Sequence, residues 1–280
     1  MKLAAVVVFY HPSEENIENV KNYEKYVDKC YIVDNSEDEI QRCQNGSKIE
    51  YIKYGDNLGI AKALNEGAKR AIKDGYQWLL TMDQDSKITK DIIAKMKQYL
   101  MKHAKEKIGL VSPYHDIHSD EVVPDVEEEE MIEVMTSGNI ISLNAYEEIG
   151  GFKDWLFIDC VDTDYCMNLH IHGYKVLRLN RVRMEHHLGH LEVHKLFGKS
   201  YPCYNHSPMR RYYIVRNNLY IRQMYGDIYP DYCAHLIRVQ KGQVKRIIAF
   251  EHRKFQKLKM MYQGYKDFKK GIKGKKRLAD

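Results

Sequence analysis

The chain has 280 residues, 44% of them apolar and 30% charged, enough for a substantial core, and no apolar run approaches the roughly 20 residues needed to span a bilayer. Its formal charge of +5 is uneven: from Arg238 onward 15 Lys and Arg stand against 3 Asp and Glu, a tail of +12 on a body of −7. The six cysteines show neither C-x-x-C pairing nor zinc-finger spacing, which argues against a disulfide framework and reads as reduced thiols of a cytosolic protein.

Leu3 to Tyr10 is a continuous run rich in Val, as expected of a strand buried on both faces of a parallel sheet. It meets His11-Pro12 and acidic residues rather than a small-residue cleavage site, so it reads as a first strand and not as a leader. Pro12-Ser13-Glu14-Glu15 signals a helix start. Strand patterns follow at Tyr31 to Val33, Ile49 to Tyr54, Gln77 to Met82 and Ile108 to Val111, with helical patterns at Ile60 to Ile72 and Ile88 to Leu100 between them. Such alternation predicts a doubly wound α/β sheet that binds ligands at the carboxyl ends of its strands.

After Pro113 comes an acidic irregular stretch from Asp116 to Glu130, then short strand patterns at Ile132 to Thr136 and Asn139 to Leu143. A helix from Val161 to Gly173, a strand from Lys175 to Leu179, a His-rich loop, and helices from Met209 to Tyr225 and Tyr232 to Lys266 complete the chain.

Five constellations carry candidate chemistry. Asp83-Gln84-Asp85 leaves the strand that ends at Met82, where two carboxylates two residues apart can share Mg²⁺ or Mn²⁺ with phosphate oxygens. Asp34, directly after Val33, can accept a hydrogen bond from a nucleobase or a ribose hydroxyl. In Asn57-Leu58-Gly59-Ile60, Gly59 opens a helix whose free N–H groups can face phosphate, with Asn65 further along it. Asp159, Asp162 and Asp164 crowd a helix mouth, where one acid can serve as general base. In Glu185-His186-His187, a neutral imidazole can complete a metal shell, while zinc chemistry is disfavoured. A dinucleotide-dependent oxidoreductase or a nucleotidyltransferase would need a glycine-rich turn where Tyr10-His11-Pro12 stands. A catalytically silent surface-binding module would have no use for the acids.

Taken in order, Val7-Val8-Phe9-Tyr10-His11-Pro12, Val33-Asp34-Asn35-Ser36, the Asn57 to Gly67 segment, Met82-Asp83-Gln84-Asp85-Ser86, Phe157-Ile158-Asp159 with Val161-Asp162 and Asp164, His186-His187-Leu188-Gly189 and Arg210 to Asn217 resemble the family 2 glycosyltransferases, most of all their bacterial rhamnosyltransferase branch. The likeness runs from Leu3 to about Tyr225 and departs from the family where Glu is more usual, at Asp164, and Arg, at Asn168 and His170. It implies a GT-A type, Rossmann-like, mostly parallel sheet flanked by helices. The domain would span residues 1–225, with a nucleotide-binding half to 113 and an acceptor half beyond it, followed by a basic helical extension over 226–280. It further implies that Asp34, Asn57, Gly59, Asn65 and Asp83 hold the nucleotide, that Asp83, Asp85 and His186 bind Mn²⁺ or Mg²⁺, and that Asp162 is the catalytic base. Asp159, Arg211, Arg216 and Asn217 would serve the acceptor or diphosphate.

The implied reaction is an inverting transfer from a dTDP- or UDP-sugar to a glycan or polyprenyl-diphosphate-linked acceptor, with L-rhamnose the first choice of sugar and galactofuranose, glucose or N-acetylhexosamine the alternatives. The basic tail, with Phe255, Met260, Met261 and Tyr262 among lysines, is expected at the inner face of the cell membrane or in a homodimer contact; nucleic acid is not the expected partner.

Overall fold

The computed structural model describes residues 1–38, 42–43, 46–116, 123–185, 192–196 and 198–277. It has two units, Met1–Phe157 with Val161–His187, and Ile158–Cys160 with Leu188–Asp280.

The first unit is built on eight strands: β1 (Ala4–Phe9), β2 (Lys29–Asp34), β3 (Ile49–Lys53), β4 (Trp78–Asp83), β5 (Ile108–Asp116), β6 (Glu128–Glu130), β7 (Asn139–Ser142) and β8 (Lys175–Glu185). They lie in the order β3-β2-β1-β4-β7-β5-β8-β6. Strands β3, β2, β1 and β4 run parallel, as do β5 and β8; β7 enters antiparallel between β4 and β5, and β6 closes the edge antiparallel to β8, so the sheet is mixed.

The unbroken apolar run of β1 is explained by burial on both faces. Ala4, Val6 and Val8 join the core under α2 (Ile60–Lys73), α4 (Leu143–Ile149) and α5 (Val161–Ile171). Ala5, Val7 and Phe9 join the core under α1 (Glu14–Glu24) and α3 (Lys90–Lys102). The helix starts follow side-chain capping, with Ser13 accepting from the Asn16 amide and Thr89 from that of Ile92.

Several local expectations changed, β5 and β8 running beyond the ends expected at Val111 and Leu179. The strand expected from Ile132 to Thr136 does not form: β6 lies earlier, at Glu128–Glu130, and Val134 is buried from an irregular segment. The strand expected to reach Leu143 stops at Ser142, whose hydroxyl accepts from the Ala145 amide and starts α4.

The second unit holds a hairpin of β9 (Glu192–Leu196) and β10 (Lys199–Cys203), then α6 (Pro208–Tyr225), α7 (Pro230–Ala249) and α8 (Lys254–Lys269). Helix α6, read from the sequence as the end of the first domain, packs with α8. Gly264 allows this approach, because a Cβ there would lie 2.5 Å from the Tyr212 carbonyl oxygen. The single helix expected from Tyr232 to Lys266 is broken before α8, where Arg253 has φ 54°. Burial of Glu251 between the two helices explains the break: its carboxylate takes Arg211 at 2.6 Å and Lys257 at 2.7 Å, an ion triad that a continuous helix would have to rearrange.

Candidate active site

The parallel strands deliver two acids to one end of the sheet. β1 lies between β2 and β4, with Phe9 opposite Asp34 and Val8 opposite Asp83. Asp34 is fully buried. Its Oδ1 accepts from the Ser36 amide at 2.8 Å and the Ser36 hydroxyl at 2.5 Å, and its Oδ2 accepts from the Tyr51 hydroxyl and from Arg42 at 3.2 Å. Burial pushes the carboxyl pKa up, but the hydrogen bonds from Ser36 and Tyr51 and the charge of Lys53 outweigh it and hold the group below the usual carboxylate range.

Asp83 ends β4, half-buried, and Asp85 is exposed in the turn that follows. The turn is fixed from outside. The Asp83 amide donates to the Ser137 hydroxyl at 3.1 Å, and the Gln84 side chain accepts from the Tyr10 amide at 2.8 Å while donating to the Tyr10 carbonyl at 3.2 Å. Gln84 thereby clips the exit of β1 to the exit of β4. Among the described residues no three His, Cys, Asp or Glu side chains gather closely enough to hold a metal, and His186 lies outside the described residues. Two carboxylates on a pinned turn fit a hard cation such as Mg²⁺ or Mn²⁺, which completes its shell with water and phosphate oxygens.

At the start of α2 the expected phosphate-facing amides have local partners. The Gly59 amide donates to Asn57 Oδ1 at 3.0 Å, and the Ile60 amide donates to the Phe157 carbonyl at 2.7 Å. Gly59 has φ 86°, and a Cβ would lie 2.5 Å from the Phe157 carbonyl oxygen, so the residue is set by close approach of two backbones. Asn35 adds a third tie, donating to the Gly59 carbonyl at 3.1 Å. Asn65, expected to touch the nucleotide, is 6% exposed and fully engaged elsewhere. Its amide nitrogen donates to the Phe152 carbonyl at 2.7 Å and to Asp154 at 2.5 Å, and its oxygen accepts from the Tyr146 hydroxyl at 2.7 Å and the Phe152 amide at 3.0 Å. It clamps the 152–154 segment instead.

That segment braces the helix mouth. Lys153 pairs with the buried Asp164 at 2.6 Å, and Phe152 stacks on Tyr165 with ring centroids 4.2 Å apart. Asp162, on the same turn of α5, lines a cavity of about 400 Å³ with Tyr114, His115, Glu133, Thr163 and Arg178. Its Oδ1 accepts from the Thr163 amide at 2.9 Å, and the Thr163 hydroxyl donates to Glu133 at 2.6 Å. His115 donates to the Ser137 carbonyl at 2.7 Å, so Ser137 touches both the Asp83 turn and the wall of this cavity. Tyr114, Glu133, Ser137 and Arg178 belong to no motif recognised in the sequence. A second cavity of about 410 Å³, lined by Lys95, Tyr99, Lys102 and Arg181 among others, contains none of the expected site residues.

In the second unit, Asn217 donates to the carbonyls of Ile158 at 2.7 Å and Asp159 at 2.9 Å, and Arg210 reaches Asp159 at 3.2 Å. Asp159 and Cys160 both have φ 62°, a strained conformation for residues other than glycine. Burial raises the Asp159 pKa, and Arg210 only partly offsets it. Arg211 and Arg216, expected on the acceptor or diphosphate, have buried guanidinium groups engaged within the unit. Arg211 binds Glu251 and Gln243; Arg216 binds Asn217 Oδ1 at 3.0 Å and the Gly274 carbonyl at 2.5 Å.

Residues 13–154 match the family model described as Glycosyl transferase family 2. The chain belongs to glycosyltransferase family 2. It is also 30% identical over 232 residues, 76% of its length and 77% of the relative's, to the dTDP-rhamnosyl transferase RfbF of Shigella flexneri. Among solved structures, this family 2 glycosyltransferase resembles S. aureus TarS 1-349 in complex with UDP-GlcNAc, with a TM-score of 0.59 and 15% identity over 97% of this chain and 82% of that one. It also resembles GalNAc-T7 with UDP, GalNAc and Mn²⁺, with a TM-score of 0.60 and 13% identity over 97% of this chain and 56% of that one. These two likenesses establish the GT-A type fold.

Proposed function

We propose that this glycosyltransferase moves L-rhamnose from dTDP-rhamnose, with inversion, onto a hydroxyl of a glycan or a polyprenyl-diphosphate-linked acceptor. The identity to a dTDP-rhamnosyl transferase over three quarters of the chain supports the donor. The observation that carries the chemistry is Ser137, which contacts both the turn of Asp83 and the cavity wall beside Asp162, so that donor and acceptor groups have neighbouring sites.

In this reading Asp34 accepts a hydrogen bond from the base or ribose, and Asn57 and Gly59 shape the turn beside it. Asp83 faces the ribose and, with Asp85 and His186, holds Mn²⁺ or Mg²⁺. When bound, the cation neutralises charge on the departing diphosphate. Asp162 takes the proton of the attacking hydroxyl, its carboxylate oriented by the Thr163 amide. Asn217 holds the Ile158–Asp159 backbone, and Arg211 and Arg216 support the helices of the second unit rather than the diphosphate.

The test is a thermal-shift and nucleotide-release panel with dTDP-L-rhamnose, UDP-galactofuranose, UDP-glucose and UDP-N-acetylglucosamine, each with and without Mn²⁺. Stabilisation and turnover with the dTDP donor are expected. A response to UDP donors alone would overturn the sugar assignment, and no response to any donor would overturn the site.

A further inference from the structure

The C-terminal helices carry an outer face that is both apolar and basic. In α8, Lys257, Met261 and Asp267 are buried, whereas Phe255 is 89% exposed and Tyr262 64% exposed. Phe255, Lys259, Tyr262 and Lys266 follow one another at helical spacing and form a single outward stripe. Ile248, 54% exposed at the end of α7, adjoins the start of this stripe, because Lys254 donates to its carbonyl at 2.7 Å.

The charge of this face is equally one-sided. Between residues 232 and 277 the only acids are Glu251 and Asp267, and both are buried, at 2% and 1% exposure, against Lys257 and Lys276. Removing both acids from the surface leaves nine exposed Lys and Arg between 253 and 277 and no exposed acid among them. Large apolar side chains protruding from a cationic, acid-free helix fit the boundary of an anionic bilayer, where aromatic rings enter the headgroup region and lysines meet lipid phosphates. A nucleic-acid backbone would use the lysines but would leave Ile248 unburied.

We propose that the face formed by Ile248, Phe255 and Tyr262 with Lys254, Lys259 and Lys266 binds anionic phospholipid membranes. The full chain is sedimented with vesicles of phosphatidylcholine alone and of phosphatidylcholine mixed with phosphatidylglycerol. Binding is expected only to the mixed vesicles, weakened about tenfold by Phe255→Ser and about fivefold by each of Lys259→Gln and Lys266→Gln. Phe255→Ser is expected to leave the melting temperature and transfer to a soluble acceptor unchanged, since the ring is exposed in the free protein. Absence of binding to the mixed vesicles, or equal binding of wild type and Phe255→Ser, overturns the proposal. So does lipid-free self-association that Phe255→Ser abolishes, which would make the face a contact between copies. Tighter, Phe255-dependent binding to a single-stranded oligonucleotide at the same salt would overturn it as well.

Discussion

Asp34 and Asp83 terminate the two strands that flank β1, their backbones in register with Phe9 and Val8. Two strand spacings separate them, about 10 Å, so a ligand spanning both must be extended, as a nucleoside joined to a diphosphate is. The two acids are also prepared differently. Asp34 is locked as a carboxylate by Ser36, Tyr51 and Arg42, whereas Asp83 is half-buried at the opening of a turn.

The difference separates two variants. Asp34→Asn is expected to weaken binding of thymidine or uridine nucleotides at least about tenfold, with or without Mn²⁺, and to destabilise the fold by about 1–3 kcal/mol because the amide nitrogen faces either Ser36 or Arg42 and Tyr51, which then lose their acceptor. Asp85→Ala, at an exposed position, is expected to leave stability within about 0.5 kcal/mol and to remove only the Mn²⁺-dependent part of binding. Calorimetric titrations of dTDP and UDP with and without cation distinguish these patterns; an identical loss in both variants would refute the division of roles.

Asp162→Asn keeps the shape of the carboxylate and its hydrogen bond from the Thr163 amide but removes the proposed base. Donor binding is expected to stay within twofold while turnover falls by about 10²–10⁴. Glu133, reached by the Thr163 hydroxyl at 2.6 Å, is the nearby acid most able to take over, and Glu133→Gln in the Asp162 wild type is expected to lower turnover far less. Single-turnover measurements of both variants check the ranking.

The ends of β1, β2 and β4 were legible in the sequence because a strand buried on both faces is an unbroken apolar run, whose end is marked by Tyr10-His11-Pro12 after β1 and by Asp34 and Asp83 in β2 and β4. Asn65 was visible as a candidate further along α2, but not its partners Tyr146, Phe152 and Asp154, which lie more than 80 residues away. The start of α4 was hidden because Ser142 both ends a strand and caps a helix, so periodicity ran on to Leu143. The break between α7 and α8 was hidden for a related reason: local helix propensity continues through Glu251, and burying that carboxylate becomes favourable through Lys257 together with the distant Arg211. Tyr114, Glu133 and Arg178 converge through pairing of β5 with β8 and the path of an irregular segment, neither of which has a one-dimensional signature.

Asn65→Ala removes four hydrogen bonds from a buried clamp and leaves the Tyr146 hydroxyl and the Phe152 amide without their acceptor. A loss of about 2–4 kcal/mol is expected, together with lower turnover, because the clamped segment carries Lys153, the partner of Asp164 at the start of α5. Tyr146→Phe removes one of these bonds and is expected to cost about 1 kcal/mol. Urea denaturation gives both values; equal losses would mean that Asn65 is not the centre of the network.

His206 gives the second unit a pH dependence. Burial first, and then the charges of Arg210, Arg211 and Lys257, lower its pKa to about 3. Once unfolded, the imidazole regains an ordinary value of about 6.5, so between these limits the unfolded chain binds a proton that the folded one does not. Stability must therefore fall as pH drops below about 6.5, by at most about 1.4 kcal/mol per pH unit from this group, and the loss ends near pH 3. His206→Gln has no such proton to take up, so its melting temperature is expected to fall less steeply than that of the wild type between pH 6.5 and 4. Parallel curves for the two proteins over that range would show that protonation of His206 does not drive the acid response.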